Sequence, residues 1–333
     1  MKKLSLLASF VSISGLISSP AIAARFSSIY GFGDSLTDTG NINQIVVQAT
    51  GGTQTFPPSP PYFMGRFSNG PVWIELLAQK LDVPLVNFAF GGATTGFENT
   101  LDTTLPGLPL PGGLQQQINN FALNNLIADP NALYAIWAGG NDYLPTNSMV
   151  FTPFDNPTQT LNNIEMAINS LVKIGAKNIM VFNLPNLGDI PLNNDSIDGV
   201  CPDNNQFDGD CLNDLTLAHN HGLSTLLSGF SSEVNLIRFD INTLVSNNIQ
   251  NPSPLFTNVT DVCFNLSTFE VCDNPDEFLF WDDRHPTTVG HQLIADSAFQ
   301  SLAVPESKTI VGLITLGLIG IVKVIKSSRI NHE

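Results

Sequence analysis

Positive charge is scarce in this sequence: 13 Lys and Arg stand against 29 Asp and Glu, for a formal net charge of −16 over 333 residues. Such a field repels phosphate backbones and anionic membrane surfaces, which argues against nucleic acid as a partner. Charge of either sign makes up only 13% of the chain, so solubility leans on Asn, Gln, Ser and Thr. Cysteine is sparse as well, with four residues. Cys201 and Cys211, like Cys263 and Cys272, are spaced too widely for C-x-x-C zinc or redox motifs, and no metal or cofactor is required. Long apolar runs are missing too. The runs at the two ends, 4–17 and 309–322, fall short of the about 17–25 residues that a spanning helix needs.

Those ends have the character of processing signals. Lys2 and Lys3 precede the first run, and small residues then lead to Ala21-Ile22-Ala23. A charged start, a short apolar stretch and an A-x-A site predict a secretory signal peptide cut after Ala23, with Ala24 as the near alternative. At the other end, Val304-Pro305-Glu306-Ser307 precedes the second run, and Lys323, Lys326 and Arg329 follow it. This pattern resembles the PEP-CTERM sorting signal, with Ser307 where that family has a second Pro. The resemblance implies an address read by sorting and processing machinery; a permanent membrane anchor, with its basic end kept cytoplasmic, is the alternative. The expected segments are therefore a signal peptide (1–23), one domain (24–303) and a C-terminal signal or anchor (304–333), in an exported protein. Removing both ends takes away six basic and two acidic side chains, leaving a core at −20. Export makes two short-loop disulfides, Cys201–Cys211 and Cys263–Cys272, the natural pairing, although four cysteines allow three connectivities.

Between the ends, strand and helix patterns alternate. Strands are expected over 26–32, 85–88, 132–137, 178–183 and 234–240, and helices over 73–81, 118–128, 161–174, 212–230 and 288–302. This alternation predicts an α/β fold, a three-layer α/β/α sandwich around a central, mainly parallel sheet. In such sheets the ligand site lies at the carboxyl ends of the strands. Segments 48–64, 99–113, 185–211 and 245–280 read as loops. The Asp- and Asn-rich stretch 203–210 lacks the EF-hand spacing. There is no internal repeat and no sign of a second domain.

The chemistry-bearing residues follow the expected strands. Ser35 sits in Gly33-Asp34-Ser35-Leu36, where a helix start would favour an anion at its backbone N–H. A serine hydroxyl needs a base, a group to orient that base, and donors for the oxyanion. His285 and Asp282, three residues apart in Trp281-Asp282-Asp283-Arg284-His285-Pro286, can be presented together by one loop. Taken singly, a G-D-S turn is as well explained as a cap, and D-x-x-H as a surface loop with an Asp–Arg284 pair.

Taken together and in order, the blocks carry a resemblance. Gly33-Asp34-Ser35-Leu36-Thr37-Asp38-Thr39-Gly40-Asn41, Asn87-Phe88-Ala89-Phe90-Gly91-Gly92-Ala93, Gly139-Gly140-Asn141-Asp142 and Asp282-x-x-His285 resemble the four blocks of GDSL/SGNH hydrolases. Smaller matches lie at Gly65-Arg66-Phe67-Ser68-Asn69-Gly70, Asn183-Leu184-Pro185 and His285-Pro286-Thr287. The resemblance covers 31–295 and implies the flavodoxin-like SGNH fold and a serine esterase or lipase. It makes Ser35 the nucleophile, His285 the base that later acts as acid, and Asp282 the orienting carboxylate, with Asp283 as runner-up. It assigns the oxyanion hole to the N–H groups of Ser35 and Gly92 and the Asn141 amide; Gly91 is the competing glycine. A neutral amide can be aimed without adding charge. No central G-x-S-x-G elbow of the α/β-hydrolase kind is present.

The expected partner is a small-molecule or lipid ester, and 22 Phe residues would suit an acyl chain. Rival readings are an acyltransferase that passes the same acyl group to another alcohol, and a non-catalytic surface protein on the same fold. The bland readings are kept for the remaining polar residues: Asp34 and Asp38 brace the turn, Asp142 supports Asn141, His219 and His221 belong to a helix, His291 lies on a helix surface, and Trp137 packs or lines the site.

Overall fold

The computed structural model describes residues 26–193 and 209–302. Five strands are parallel in the order β2-β1-β3-β4-β5: β1 Ile29–Gly33, β2 Leu85–Asn87, β3 Leu133–Trp137, β4 Asn178–Phe182 and β5 Asn235–Phe239. The chain steps from β1 outward to β2, then back across β1 to β3. That reversal puts a topological switch point at the carboxyl end of β1, where open α/β sheets bind ligands.

Side chains alternate across this sheet, as the two-residue period of a strand requires. Phe32, Tyr134, Ile136, Ile179 and Val181 point to one face, where they pack with Leu114, Ile118 and Phe121 of α3 (Leu114–Asn124). Ile164, Ala167, Ile168 and Leu171 of α4 (Thr158–Lys173) and Leu223 and Leu227 of α5 (Gly209–Ser228) complete that layer. Ile29, Leu133, Ala135, Trp137, Met180 and Phe182 point to the other face. There they meet Trp73, Ile74 and Leu77 of α2 (Trp73–Leu81) and Ile294, Ala295 and Ala298 of α7 (Thr288–Leu302). The three-layer α/β/α sandwich is therefore built, with a fully parallel main sheet.

Helices α2 and α7 match their expected bounds, whereas α3 begins four residues earlier than 118. Two helices were not expected. In α1 (Asn41–Ala49) and α6 (Ile241–Gln250) the residues are Asn-rich and β-branched, with weak helix propensity. Each is started by an aspartate instead. Asp38 accepts from the N–H groups of Gly40, Asn41 and Ile42, and Asp240 accepts from that of Thr243. A small second sheet was also unexpected: β6 (Asn258–Val262) runs parallel to β7 (Phe278–Phe280) inside the segment read as loop 245–280.

Cys263 and Cys272 are bridged, with Cα atoms 4.9 Å apart, as expected. Cys211 is disulfide-bonded too; its expected partner Cys201 lies outside the described residues, as do 203–208, the signal-like segment 1–23 and the tail 304–333.

Candidate active site

The first strand ends at Gly33, where a Cβ would stand 2.0 Å from the Trp137 carbonyl oxygen of β3, so only glycine fits at φ +146°. Buried Gln117 of α3 clamps this residue from both sides, accepting from its N–H at 2.9 Å and donating to its carbonyl at 2.8 Å. Asp34 and Ser35 follow directly. The Asp34 carboxylate accepts from Leu36 N–H, and its carbonyl accepts from Thr37 and Asp38. Both aspartates thus brace the turn, as expected. Burial pushes Asp34 up to about 7 and Asp38 up to about 6.

Block two is pinned to block one. Asn87 donates to the Thr37 carbonyl at 2.6 Å, and Asn41 donates to the carbonyls of Asn87 and Ala89 at 3.0 and 2.8 Å. Asp38 also accepts from Gly91 N–H at 2.8 Å. That contact separates the two glycines, because the Gly91 donor is consumed. Gly92, at φ +75°, has no acceptor for its N–H among the described residues, and neither does Ser35. A Cβ at Gly92 would lie 2.5 Å from Asn99 Oδ1.

Block three is tied to block two in turn. The Asn141 amide donates to the Ala93 carbonyl at 3.0 Å, which holds the amide while leaving its second N–H. Asp142 is fully buried, accepts from both the backbone and the hydroxyl of Thr95, and accepts from Thr160 Oγ1 at 2.7 Å. Burial raises it to about 6 despite these donors. Its bonds fix the turn that carries Asn141 to Thr95 and to Thr160 of α4.

The fourth block does not follow a strand of the main sheet. It follows β7, in a turn closed by the Phe280–Pro286 bridge and by a Trp281 N–H bond to the His285 carbonyl at 2.7 Å. Asp282 Oδ1 accepts from the N–H groups of Arg284 and His285 at 2.9 and 2.8 Å. The His285 ring stands between the two halves of the site, with Nδ1 2.8 Å from Asp282 and Nε2 2.8 Å from Ser35 Oγ. Asp282 is 2% exposed. Burial works to raise its pKa, but the His285 charge and the donors from His285 and Tyr62 outweigh it and hold the group below the ordinary carboxylate value. Asp283 instead faces Arg284, with Oδ1 3.5 Å from Nε.

One supporting residue, Tyr62, had no motif to mark it, whereas Phe67, Ser68 and Asn69 lie in the smaller match at 65–70. Tyr62, in the Pro-rich loop 48–64, donates to Asp282 Oδ2 at 2.6 Å and is itself buried. Its ring packs edge-on against Phe264 and Trp281, beside the Cys263–Cys272 bridge. Phe67 lies 5.2 Å from the His285 ring, centroid to centroid. Ser68 and Asn69 fasten the far side of this loop, bonding the Pro286 carbonyl at 2.9 Å and Thr288 N–H at 2.7 Å.

Other expectations are settled less evenly. His219 is a buried helix residue bonded to Tyr143 Oη at 2.8 Å, and Trp137 stacks on Phe182 in the core. His291 departs from the expectation. It is 1% exposed rather than on the surface, and burial lowers it to about 3. It shares the face of α7 that carries Ile294, Ala295 and Ala298, a spacing of 0, 3, 4 and 7 that marks a buried stripe.

The chemistry open to this arrangement is nucleophilic. A hydroxyl touches an imidazole that touches a buried carboxylate, the Asn141 amide lines the same cleft, and the N–H groups of Ser35 and Gly92 are without acceptors among the described residues.

The profile of GDSL-like lipases/acylhydrolases matches residues 29–298. A phosphatidylcholine-sterol acyltransferase of Aeromonas hydrophila is 35% identical over 187 residues, covering 55% of this chain and 52% of that protein. A thermolabile hemolysin of Vibrio parahaemolyticus is 26% identical over 297 residues, covering 83% and 64%. The chain thus spans about half the length of the first of these relatives. GDSL esterase/lipase 5 of Arabidopsis thaliana is 25% identical over 319 residues, covering 78% and 79%. Among solved structures, an acetylxylan esterase from Geobacillus stearothermophilus superposes with a TM-score of 0.44 at 13% identity, covering 86% of this chain and 97% of that one. With its four blocks in place and the profile running over most of its length, the chain belongs to the GDSL-like lipase/acylhydrolase family.

Proposed function

We propose that this protein is an exported serine hydrolase that cleaves carboxylic esters through an acyl-enzyme. The observation that carries the reading is the continuous relay from Ser35 Oγ through His285 to Asp282, each step 2.8 Å, beside the unclaimed N–H groups of Ser35 and Gly92. His285 takes the Ser35 proton as the hydroxyl attacks the ester carbonyl. The oxyanion is met by the two N–H groups and the free Asn141 donor. His285 returns the proton to the departing alcohol, then activates water to release the acid. Asp282 holds the imidazole in the tautomer this requires. No step calls for a metal or cofactor.

The test is hydrolysis of p-nitrophenyl esters from acetate to palmitate by the purified chain and its Ser35→Ala variant. Turnover in the parent that collapses in the variant supports the reading; equal rates in both overturn it. The 35% identity to an acyltransferase favours a second outcome, transfer to an added alcohol. Ester product that rises with alcohol concentration at constant p-nitrophenol release would establish it. Export is tested separately, by N-terminal sequencing of the mature protein, with Ala24 as the expected first residue.

A further inference from the structure

The catalytic cleft is unevenly lined. Beside Ser35, His285 and Asn141 it is walled by Leu36, Leu144, Leu184, Leu187 and Ile190, and its volume is about 50 Å3. That is room for a few water-sized groups, so the apolar side accepts a short acyl chain. A second cavity of about 310 Å3 is lined by Thr100, Leu101, Thr103, Thr104, Thr146 and Asn147, and these hydroxyls and amide suit a polar group. Leu101 ties it to the oxyanion hole, since its Cγ would lie 2.6 Å from a Cβ at Gly92.

Arg284 lines both cavities and is the one Lys or Arg that does so among the described residues. Its neighbour in sequence, His285, delivers the proton to the leaving alcohol. Other cations among the described residues have close partners of their own: Arg66 with Glu75 at 2.7 Å, Lys80 with Asp296 at 2.5 Å, and Arg238 with Ser224 at 2.8 Å. Arg284 has only a long contact from Nε to Asp283. Both Nη groups, the fork that recognises carboxylates and phosphates, have no protein partner among the described residues. In a chain of net charge −16, such a cation at the mouth of the site stands out against its surroundings.

We infer that Arg284 selects the substrate: an ester with a short acyl group whose alcohol side carries an anionic group, carboxylate or phosphate, seated in the threonine-lined cavity. This rests on the ester-hydrolase reading. The acyl–oxygen bond breaks, the acyl group passes to Ser35 Oγ, and His285 protonates the anionic alcohol as it leaves past Arg284.

The test compares 4-acetoxybenzoate and 4-acetoxyphenyl phosphate with the neutral methyl 4-acetoxybenzoate, in the full chain, Arg284→Gln and Arg284→Glu. The readout is the ratio of kcat/KM, anionic over neutral, on a single preparation, so a partly misfolded variant does not distort it. The ratio is expected to fall about tenfold in Arg284→Gln and further in Arg284→Glu, as loss of a charge-assisted hydrogen bond implies, and raised salt is expected to lower it in the parent alone. The phosphate and carboxylate arms show which anion is preferred. A ratio unchanged in both variants overturns this inference and leaves the hydrolase reading standing. A parent that hydrolyses none of the three esters overturns both.

Discussion

The two halves of the candidate site are held in different ways. Ser35, Gly92 and Asn141 follow β1, β2 and β3; their segments are tied together by Asn41, Asn87, Asp38 and the Asn141–Ala93 bond, while Gln117 clamps Gly33. Asp282 and His285 stand on a turn after β7, outside the main sheet. This turn is fixed by the Tyr62 bond, the Phe264–Trp281 stack and the short disulfide loop. The proposed nucleophile and oxyanion donors thus share the rigidity of a buried parallel sheet, while the proposed base depends on a small accessory layer. A reaction that needs both should be lost by damage to either half, but by different routes: chemistry for the first, alignment and protonation for the second.

Removing the nucleophile gives the largest effect. Ser35→Ala should lower kcat/KM on a p-nitrophenyl ester by at least about 10³-fold with the fold intact, read by steady-state kinetics with circular dichroism as control. Asn141→Ala comes next, with kcat down about 10²-fold and KM little changed, because the donor acts on the transition state. A large rise in KM instead would break the assignment to the sheet-borne half.

The accessory half should respond more gently. Tyr62→Phe is expected to lower kcat about five- to tenfold, the scale of a hydrogen bond to a charged group. It should also shift the acid limb of the kcat/KM profile. Without the Tyr62 donor the Asp282 carboxylate loses one of the bonds that hold its pKa down, and the limb is expected to move upward. A loss of stability with an unmoved limb would reduce Tyr62 to packing. Replacing Cys263 and Cys272 by Ser should act on stability first, by about 2–3 kcal/mol for so short a loop, seen as several degrees in Tm.

The smallest effect is a pH dependence in the sheet-borne half. Asp34, Asp38 and Asp142 are raised by burial to about 7, 6 and 6. A carboxyl whose folded pKa exceeds its unfolded one contributes stability that is present below about 3.9 and lost as pH rises through the folded value. His219 and His291, lowered to about 4 and 3, act oppositely: their contribution is present above the unfolded value and lost as pH falls. The Tm of Asp34→Asn relative to the parent should therefore improve between pH 5 and pH 8. A difference that is flat with pH would contradict the raised Asp34.

What the sequence makes legible follows the same division. The sheet-borne half is local: each block lies within a few residues of an apolar strand, and the resemblance of the blocks, in chain order, is what assigns Ser35, Gly92 and Asn141. Asp282 and His285 are legible as a D-x-x-H pair, but their support is not. β7 is three residues long, and β6 carries Asn and Asp, so neither shows strand periodicity. Tyr62 reaches Asp282 across 220 positions from a segment whose prolines announce only a loop. His291 was legible and misread, since its spacing with Ile294, Ala295 and Ala298 marks a buried face. The choice of Gly92 over Gly91 rests on the block's count from Asn87 in the sequence, and the structure adds a physical reason, the Gly91 N–H bonded to Asp38.

Covalent labelling tests the central claim most directly. A fluorophosphonate should phosphonylate one residue, located by mass spectrometry of the digested protein. The account predicts the adduct on Ser35, absent in Ser35→Ala and strongly slowed in His285→Ala. Ester hydrolysis that persists with Ser35 unlabelled, or an adduct on another residue that abolishes activity, would contradict it.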